Sequence, residues 1–199
     1  MTIRQARFSS PLGPIAATSE GGAVTQLWFE PPSPSPAEAA TNPSGTAPTR
    51  AGDAIDAPAP RPGRAPARRS DGRRDAADPP DPVLERLGEW LADYFAGGNP
   101  TIDFPLAPRG TPFRMAVWSL LCEIPYGQTT TYGALAARLS GPGRPLAARA
   151  VGGAVGHNPI SLLIPCHRVI GSDSSLTGYG GGLDRKASLL ALEGSWPKP

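Results

Sequence analysis

The 199-residue sequence lacks the features of several common protein classes. It has only two cysteines, Cys122 and Cys166, which excludes a disulfide-stapled scaffold and favours a reducing compartment. No apolar run approaches the roughly eighteen residues that a membrane helix requires. Residues 1–10 lack the apolar core of a signal peptide. We therefore expect a cytoplasmic protein that does not associate with membranes.

Aromatic residues make up only 7% of the chain, and the segment 31–82 has none. That segment holds 13 of the 26 prolines, and Ile55 is its only large aliphatic residue. Such a composition buries too little apolar surface to offset the entropy of ordering. We predict a disordered Pro/Ala/Arg-rich insertion over 31–82. Because acids at 75, 78 and 81 follow its six clustered arginines, an inert solvated linker is favoured over a phosphate-binding arm.

The segments flanking the insertion, 1–30 and 83–104, predict a small N-terminal domain. Turn-rich residues separate three strand-like runs, RQARF, PIAATSE and AVTQLWF, which predicts an antiparallel meander. Apolar residues then recur at helical spacing from Leu84 to Phe95. Asp81 and Pro82 are suited to the start of this helix, and Gly97 to its end. We expect the helix to pack on the meander.

Residues 105–199 predict a mostly helical domain. The run from Phe113 to Cys122 is apolar on nearly every side, so we expect a core helix in which Cys122 is a small buried hydrophobe. Two shorter helices, one starting at Tyr132 and one spelling LAARAVGGAVG, are joined by a Gly/Pro-rich connection and predict a helix-turn-helix. Nine Lys/Arg against four acids give this part a charge of +5, which points to a polyanionic partner.

Cys166 and His167, in the run IPCHR, are the candidates for nucleophilic chemistry. A cysteine attacks as the thiolate, so it needs partial access and a nearby base or positive field; His167 can supply the base and Arg168 the field. Glu193 fits an orienting acid and an exposed surface acid equally well. The same set fits a cysteine hydrolase. We expect no metal, since no zinc spacing matches the available soft ligands Cys122, His157, Cys166 and His167.

Five collinear motifs lie between residues 108 and 194: GTPFRMAVWSLL, IPYGQTTTYGALA, AARAVGGAVGHNP, IPCHRVIG and TGYGGGLDRKASLLALEG. Together they resemble the catalytic domain of the O6-alkylguanine-DNA alkyltransferases, also called methylated-DNA–protein-cysteine methyltransferases. The resemblance implies an α/β fold, with a small ribonuclease-H-like N-terminal sheet domain and a winged-helix-like (helix-turn-helix) catalytic domain over 105–199. It also implies a monomer that uses no cofactor and repairs double-stranded DNA.

The resemblance implies a role for each catalytic residue. Cys166 accepts the alkyl group of O6-alkylguanine, with O4-alkylthymine as a secondary substrate, and is consumed in one turnover. His167 acts as base through a bridging water, and Glu193 orients the imidazole. Asn158 braces the turn before the active-site loop. Tyr132 donates a proton to the departing guanine and helps to rotate the nucleotide.

The resemblance also implies how DNA is held. Arg149 enters the base stack where the alkylated guanine has flipped out, because the O6 substituent is inaccessible inside the duplex. The helix around it is slim enough for the minor groove, owing to the small residues Ala148, Ala150, Gly152 and Gly153. The alkyl pocket is formed by Pro165, Tyr179, Gly180 and Lys186. Gly180 stands where several relatives carry serine or arginine, so its backbone N–H is left to hold O6.

Two other functions remain open on the sequence alone. A noncatalytic DNA-binding sensor of alkylated bases would share the recognition helix, although the presence of Cys166 argues against it. A cysteine hydrolase is the third possibility. Single-turnover alkyl transfer separates the alkyltransferase from the noncatalytic sensor. Sensitivity to DNA separates both of these from the cysteine hydrolase.

Overall fold

The structure, a computed structural model, describes residues 2–30, 81–141 and 145–196. The predicted disordered insertion over 31–82 therefore lies outside the described residues, except for Asp81 and Pro82. Residues 142–144 of the Gly/Pro-rich connection lie outside them as well. The described residues fall into one compact unit of mixed α/β structure.

Three antiparallel strands form the N-terminal sheet, in the order β1 (Ile3–Phe8), β2 (Ile15–Glu20) and β3 (Ala23–Phe29). This confirms the predicted meander. Phe8 lies opposite Ile15 in the first pair, and Ile15 lies opposite Phe29 in the second. The strands are short and connected by tight turns, so strand-forming residues and turn residues along the chain are enough to specify them.

The helix α1 (Pro82–Phe95) packs against this sheet, as predicted. The Asp81 side chain caps it by accepting a hydrogen bond from the backbone N–H of Val83 at 3.1 Å. Gly97, at φ 91°, turns the chain away just past its C-terminus. One face of the helix is buried, comprising Val83, Leu84, Leu87, Trp90, Leu91 and Tyr94.

The outer edge of β3 pairs with two segments that come much later in the chain. Val24 forms a parallel bridge with Leu106, and Leu27 forms one with Ile160. The Leu27 N–H donates to the carbonyl of Pro159 at 2.9 Å, and the N–H of Ser161 donates to the Leu27 carbonyl at 2.8 Å. The N-terminal sheet thus supports the backbone segment that leads to Cys166.

The remaining elements are α2 (Pro112–Cys122), β4 (Thr130–Thr131), α3 (Tyr132–Leu139), α4 (Ala148–Gly156), β5 (Val169–Ile170) and α5 (Leu183–Leu192). Helices α2, α3 and α4 pack against one another, and β4 pairs with β5 in parallel. α3 and α4 are the two short helices that the sequence predicts on either side of the Gly/Pro-rich connection. No helix in the described ranges combines the length and apolar character needed to cross a bilayer.

The expectation of a buried Cys122 in a core helix is wrong. Only Val117, Trp118 and Leu121 of α2 are buried, and Cys122 is exposed. Successive residues of an α-helix point about 100° apart, so Cys122 lies on a different face from Leu121. Apolar composition on every side of a helix does not bury every side, because α2 has neighbours along one face only.

Candidate active site

A short loop after α4 positions the thiol of Cys166. Asn158 organises this loop with its side-chain amide: Oδ1 accepts from the N–H of Ile160 at 3.0 Å, and Nδ2 donates to the Ile164 carbonyl at 2.7 Å. The same Nδ2 donates to Sγ of Cys166 at 3.1 Å. Leu162, within the loop, has φ 68°, a conformation that costs free energy for a residue with a side chain. The Asn158 side chain therefore holds the loop backbone and also contacts the Cys166 thiol.

Cys166, His167 and Arg168 form a single 3-10 turn. In a strand, neighbouring side chains would point to opposite faces, but three residues per turn place them about 120° apart. Cys166 is 6% exposed and His167 is fully buried. The adjacent pair can thus share one buried site.

Glu193, the residue that follows α5, is buried and accepts hydrogen bonds from every side. Its Oε1 accepts from the Tyr94 hydroxyl at 2.7 Å, His167 Nε2 at 2.9 Å and Arg168 Nη2 at 2.9 Å. Its Oε2 accepts from Arg168 Nε at 2.8 Å and the Gly127 N–H at 3.3 Å. Burial by itself would raise the pKa of Glu193, but the hydrogen bonds from His167 and Arg168 outweigh it and lower the pKa to about 2. The carboxylate is ionised at neutral pH.

The contact with Glu193 fixes the tautomer of His167. A carboxylate only accepts, so Nε2 carries the proton and Nδ1 is the free acceptor. Within the described ranges, Nδ1 is buried without a hydrogen-bond partner. Burial lowers the pKa of His167, against the opposing effect of Glu193, so the ring is neutral at rest. A neutral imidazole with an unused acceptor nitrogen is suited to remove a proton.

Cys166 is a thiol rather than a thiolate in the resting site. Burial raises its pKa, and the opposing effects of the Asn158 hydrogen bond and the Lys186 charge are smaller. The expectation that Arg168 supplies the positive field is wrong, because its guanidinium is held by Glu193 and by the Ile124 carbonyl, which accepts from Nη1 at 2.7 Å. The positive charge that acts on the Cys166 thiol is that of Lys186.

Tyr179 and Lys186 line the buried side of the site. The Tyr179 ring meets the His167 ring edge-on, with centroids 6.5 Å apart. The Tyr179 hydroxyl is buried and has no hydrogen-bond partner in the described part of the chain. Lys186 is fully buried, and its Nζ donates to the carbonyls of Val169 at 2.5 Å and Thr177 at 2.6 Å. Burial lowers the pKa of Lys186 to about 8.

The other predicted pocket residues lie around this group. The Tyr132 hydroxyl donates to the Thr177 carbonyl at 3.0 Å, and its ring centroid is 6.0 Å from Nζ of Lys186. Burial raises the pKa of Tyr132, so the phenol stays protonated at neutral pH. Pro165 is buried directly before the thiol. Gly180 is exposed, and a Cβ added there would meet no heavy atom within 4 Å.

Five of the six predicted DNA-binding residues lie on α4, and the sixth, Tyr132, is the first residue of α3. Arg149 is exposed, as are Ala148, Ala150 and Gly153. Gly152 faces inward, where an added Cβ would lie 3.7 Å from Cδ1 of Tyr132. The outer surface of α4 is therefore slim, with one cationic side chain, and its inner side touches the pocket.

Sequence reasoning missed the role of Tyr94 in this network. The helical pattern placed Tyr94 on the apolar face of α1, where a buried hydroxyl needs a partner. The need of a buried hydroxyl for a partner was the one sign in the sequence that Tyr94 contacts another polar group. The partner, Glu193, is 99 residues away in the chain, and no local pattern identifies it.

Comparison with known proteins relates this geometry to one family. Residues 112–195 match the family model described as 6-O-methylguanine DNA methyltransferase, DNA binding domain. A methylated-DNA–protein-cysteine methyltransferase of Mycolicibacterium paratuberculosis is 56% identical over 105 residues, 53% of this chain and 62% of that protein. One from Mycobacterium tuberculosis is 51% identical over 117 residues, 58% of this chain and 69% of that protein. The alignment thus spans slightly less than two thirds of the first relative and slightly more of the second.

Solved structures extend the similarity to nearly the whole chain. The crystal structure of Mycobacterium tuberculosis O6-methylguanine methyltransferase matches with a TM-score of 0.67 and 34% identity, covering 99% of this chain and 96% of that one. Mycobacterium tuberculosis OGT in complex with DNA matches with a TM-score of 0.66 and 35% identity, covering 97% and 94%. The similarity therefore includes the N-terminal sheet as well as the helices around Cys166.

Proposed function

This chain belongs to the methylated-DNA–protein-cysteine methyltransferase family, and on that premise we propose that it repairs DNA by moving an alkyl group from O6-alkylguanine onto Cys166. The observation that carries the assignment is the buried His167 ring. Its Nε2–H is held by the ionised Glu193, and its Nδ1 has no partner among the described residues. A neighbouring thiol of raised pKa needs such a base.

The proposed step is a nucleophilic displacement that needs no oxidant or reductant. The thiol proton passes to Nδ1 of His167 through a bridging water. Sγ of Cys166 forms a bond to the alkyl carbon as the bond from that carbon to O6 breaks, and the bonding electron pair leaves with guanine. The product is a thioether, which is chemically stable, so each molecule acts once. O4-alkylthymine is a secondary substrate by the same displacement.

Tyr132 is the proposed proton donor to the leaving base. A neutral guanine leaves more readily than an anion, so protonation in the transition state lowers the barrier. The phenol carries its proton at neutral pH, as a donor must, and burial raises its pKa, which makes it a weaker acid than a free tyrosine. Its hydrogen bond to the Thr177 carbonyl must be exchanged for one to the base.

Duplex DNA is the proposed partner, with α4 in the minor groove and Arg149 filling the place of the flipped guanine. The exposure of Arg149 and the small residues beside it support this arrangement. At the level of fold, we propose a ribonuclease-H-like N-terminal sheet domain and a winged-helix-like domain built on α3 and α4. One chain supplies Cys166, His167 and Glu193, which fits a monomer, and a nucleophilic thiol fits the reducing cytoplasm.

Intact-protein mass spectrometry after mixing with excess O6-methylguanine duplex, followed by peptide mapping, tests the proposal. We expect one added methylene on Cys166, with no further increase over time. Cys166→Ser should abolish the mass change. Cys122→Ser is the matched control, because it removes the exposed thiol outside the network, and it should keep transfer intact.

Each alternative has its own result. An unchanged mass with tight, lesion-dependent binding would contradict transfer and establish the noncatalytic sensor. Modification of Cys122 would show that the wrong thiol was assigned. The absence of both alkyl transfer and lesion-dependent binding would refute the proposed function altogether. Catalytic turnover of a substrate in the absence of DNA would favour a cysteine hydrolase.

A further inference from the structure

We propose that Tyr94, on α1 of the N-terminal segment, is a positioning residue for alkyl transfer: its hydroxyl fixes the Glu193 carboxylate and limits how strongly Oε1 binds the His167 ring. This inference rests on the proposed function of Cys166. It adds to the proposed site a residue that lies outside the catalytic domain predicted over 105–199. It also gives the N-terminal segment a part in the chemistry.

The geometry places three donors on one oxygen. Oε1 of Glu193 accepts from Tyr94, His167 and Arg168 at 2.7, 2.9 and 2.9 Å, and the Tyr94 contact is the shortest. A carboxylate oxygen offers about two lone-pair sites, so three donors on Oε1 compete for them and each hydrogen bond weakens as the others strengthen. The Tyr94 hydroxyl therefore competes directly with the imidazole that serves as base.

Tyr94 is held rigidly enough to act in this way. The residue is 1% exposed. Its ring stacks on Trp90 at a centroid distance of 5.1 Å, and it meets Phe95 and Tyr126 edge-on at 5.4 and 6.1 Å. These ring contacts fix the position of the phenol oxygen, and because a carboxylate only accepts, the O–H donates to Glu193.

The charges around the pair determine the direction of the effect. Arg168 offsets the charge of Glu193 through two hydrogen bonds, and Lys186 and Arg168 both disfavour a proton on His167. Glu193 alone favours that proton. Without the Tyr94 hydroxyl, Oε1 would interact more strongly with Nε2–H of a charged imidazolium, and the pKa of His167 would rise.

The neutral phenols and the thiol complete the surroundings. The Tyr126 ring lies 5.7 Å from the Arg168 guanidinium carbon, and its hydroxyl reaches the Leu192 carbonyl at 3.4 Å. Tyr179 and Cys166 are uncharged at neutral pH because burial raises the pKa of each. None of these groups is a donor to Oε1, so they leave the competition between Tyr94 and His167 unchanged.

The test is the pH dependence of alkyl transfer from free O6-benzylguanine in the full chain carrying Tyr94→Phe. The rate rises with pH as His167 loses its proton, so a higher pKa moves the ascending limb to higher pH. We expect a displacement of about half to one pH unit, which is about a three- to tenfold lower rate on the limb and little change on the plateau. Tyr126→Phe is the matched control, since it removes a nearby hydroxyl that contacts a backbone carbonyl.

The outcomes separate this inference from the proposed function. No transfer by the wild-type protein from either free O6-benzylguanine or the O6-methylguanine duplex would refute the proposed function and this inference with it. Transfer by the wild type with an identical limb in Tyr94→Phe would refute the role of Tyr94 alone. An equal displacement in Tyr126→Phe would also refute it, because the effect would then follow general loosening of the aromatic cluster. A lower melting temperature without displacement of the limb would mean a structural role only.

Discussion

Replacing Glu193 with glutamine removes one charge from the centre of the site while keeping the size of the side chain. All groups that contact the carboxylate are donors: Tyr94, Gly127, His167 and Arg168. A glutamine has one accepting oxygen, so its NH₂ group must face at least one N–H or O–H donor. The substitution therefore leaves Arg168 without its counter-ion and places two donors against each other.

The structure sets the size of the expected loss. The pKa of Glu193 is lowered from 4.5 to about 2, and at about 1.4 kcal/mol per pH unit this corresponds to about 3 kcal/mol of folding free energy. Removing one member of a buried ion pair typically costs about 3–5 kcal/mol. We expect Glu193→Gln to lower the free energy of unfolding by about 3–5 kcal/mol at pH 7.

The pH dependence provides a second, independent measure. The folded-state pKa of Glu193 lies below the unfolded one, so its stabilisation is complete above about pH 4.5 and is lost as the pH falls toward 2. The difference between wild type and variant should therefore narrow by about 2 kcal/mol between pH 7 and pH 3, most of it below pH 4.5. Urea unfolding at steps from pH 7 to pH 3 measures both quantities.

The control is Glu123→Gln, at a half-exposed ion pair with Arg138 at 2.6 Å. Such surface pairs contribute about 0–1 kcal/mol, so this variant should stay close to wild type. A Glu193→Gln protein within about 1 kcal/mol of wild type at pH 7, or a difference that stays constant in acid, would refute the account of Glu193 as a buried, ionised acceptor.

Two further predictions concern DNA and the pocket. Arg149→Ala should slow repair of duplex O6-methylguanine about tenfold more than reaction with free O6-benzylguanine. The reason is that flipping a base costs a few kcal/mol, and only the duplex requires it. Equal slowing of both reactions would argue against the role of Arg149. Gly180→Ser should change stability by less than about 0.5 kcal/mol because the position is open, whereas Gly181→Ala places a Cβ 2.6 Å from Cε1 of Tyr179 and should cost about 1–3 kcal/mol. Thermal unfolding and the transfer rate measure the pair, and equal behaviour of the two variants would contradict the close packing of Gly181 against the Tyr179 ring.

The local elements of this protein were predictable from sequence because their signals are local. The three strands follow from strand-forming runs separated by turn residues, and α1 follows from helical spacing between Asp81 and Gly97. The exposure of Cys122 was not predictable in the same way. Composition tells which residues can be buried, but burial requires a neighbouring element, and α2 has neighbours on one face only.

The candidate site also has a part that the sequence predicts and a part that depends on the tertiary structure. The sequence by itself determined which groups have the needed chemistry, a thiol beside an imidazole in Cys166–His167, and its motifs added Asn158, Glu193 and Lys186 by resemblance. Only the tertiary structure decided how these groups are paired: Arg168 with Glu193 instead of the thiol, Lys186 near the thiol, and Tyr94 on Glu193 from across 99 residues. The physical reason is that reactivity depends on burial and on distances of about 3 Å, and the folding of distant segments against one another sets both.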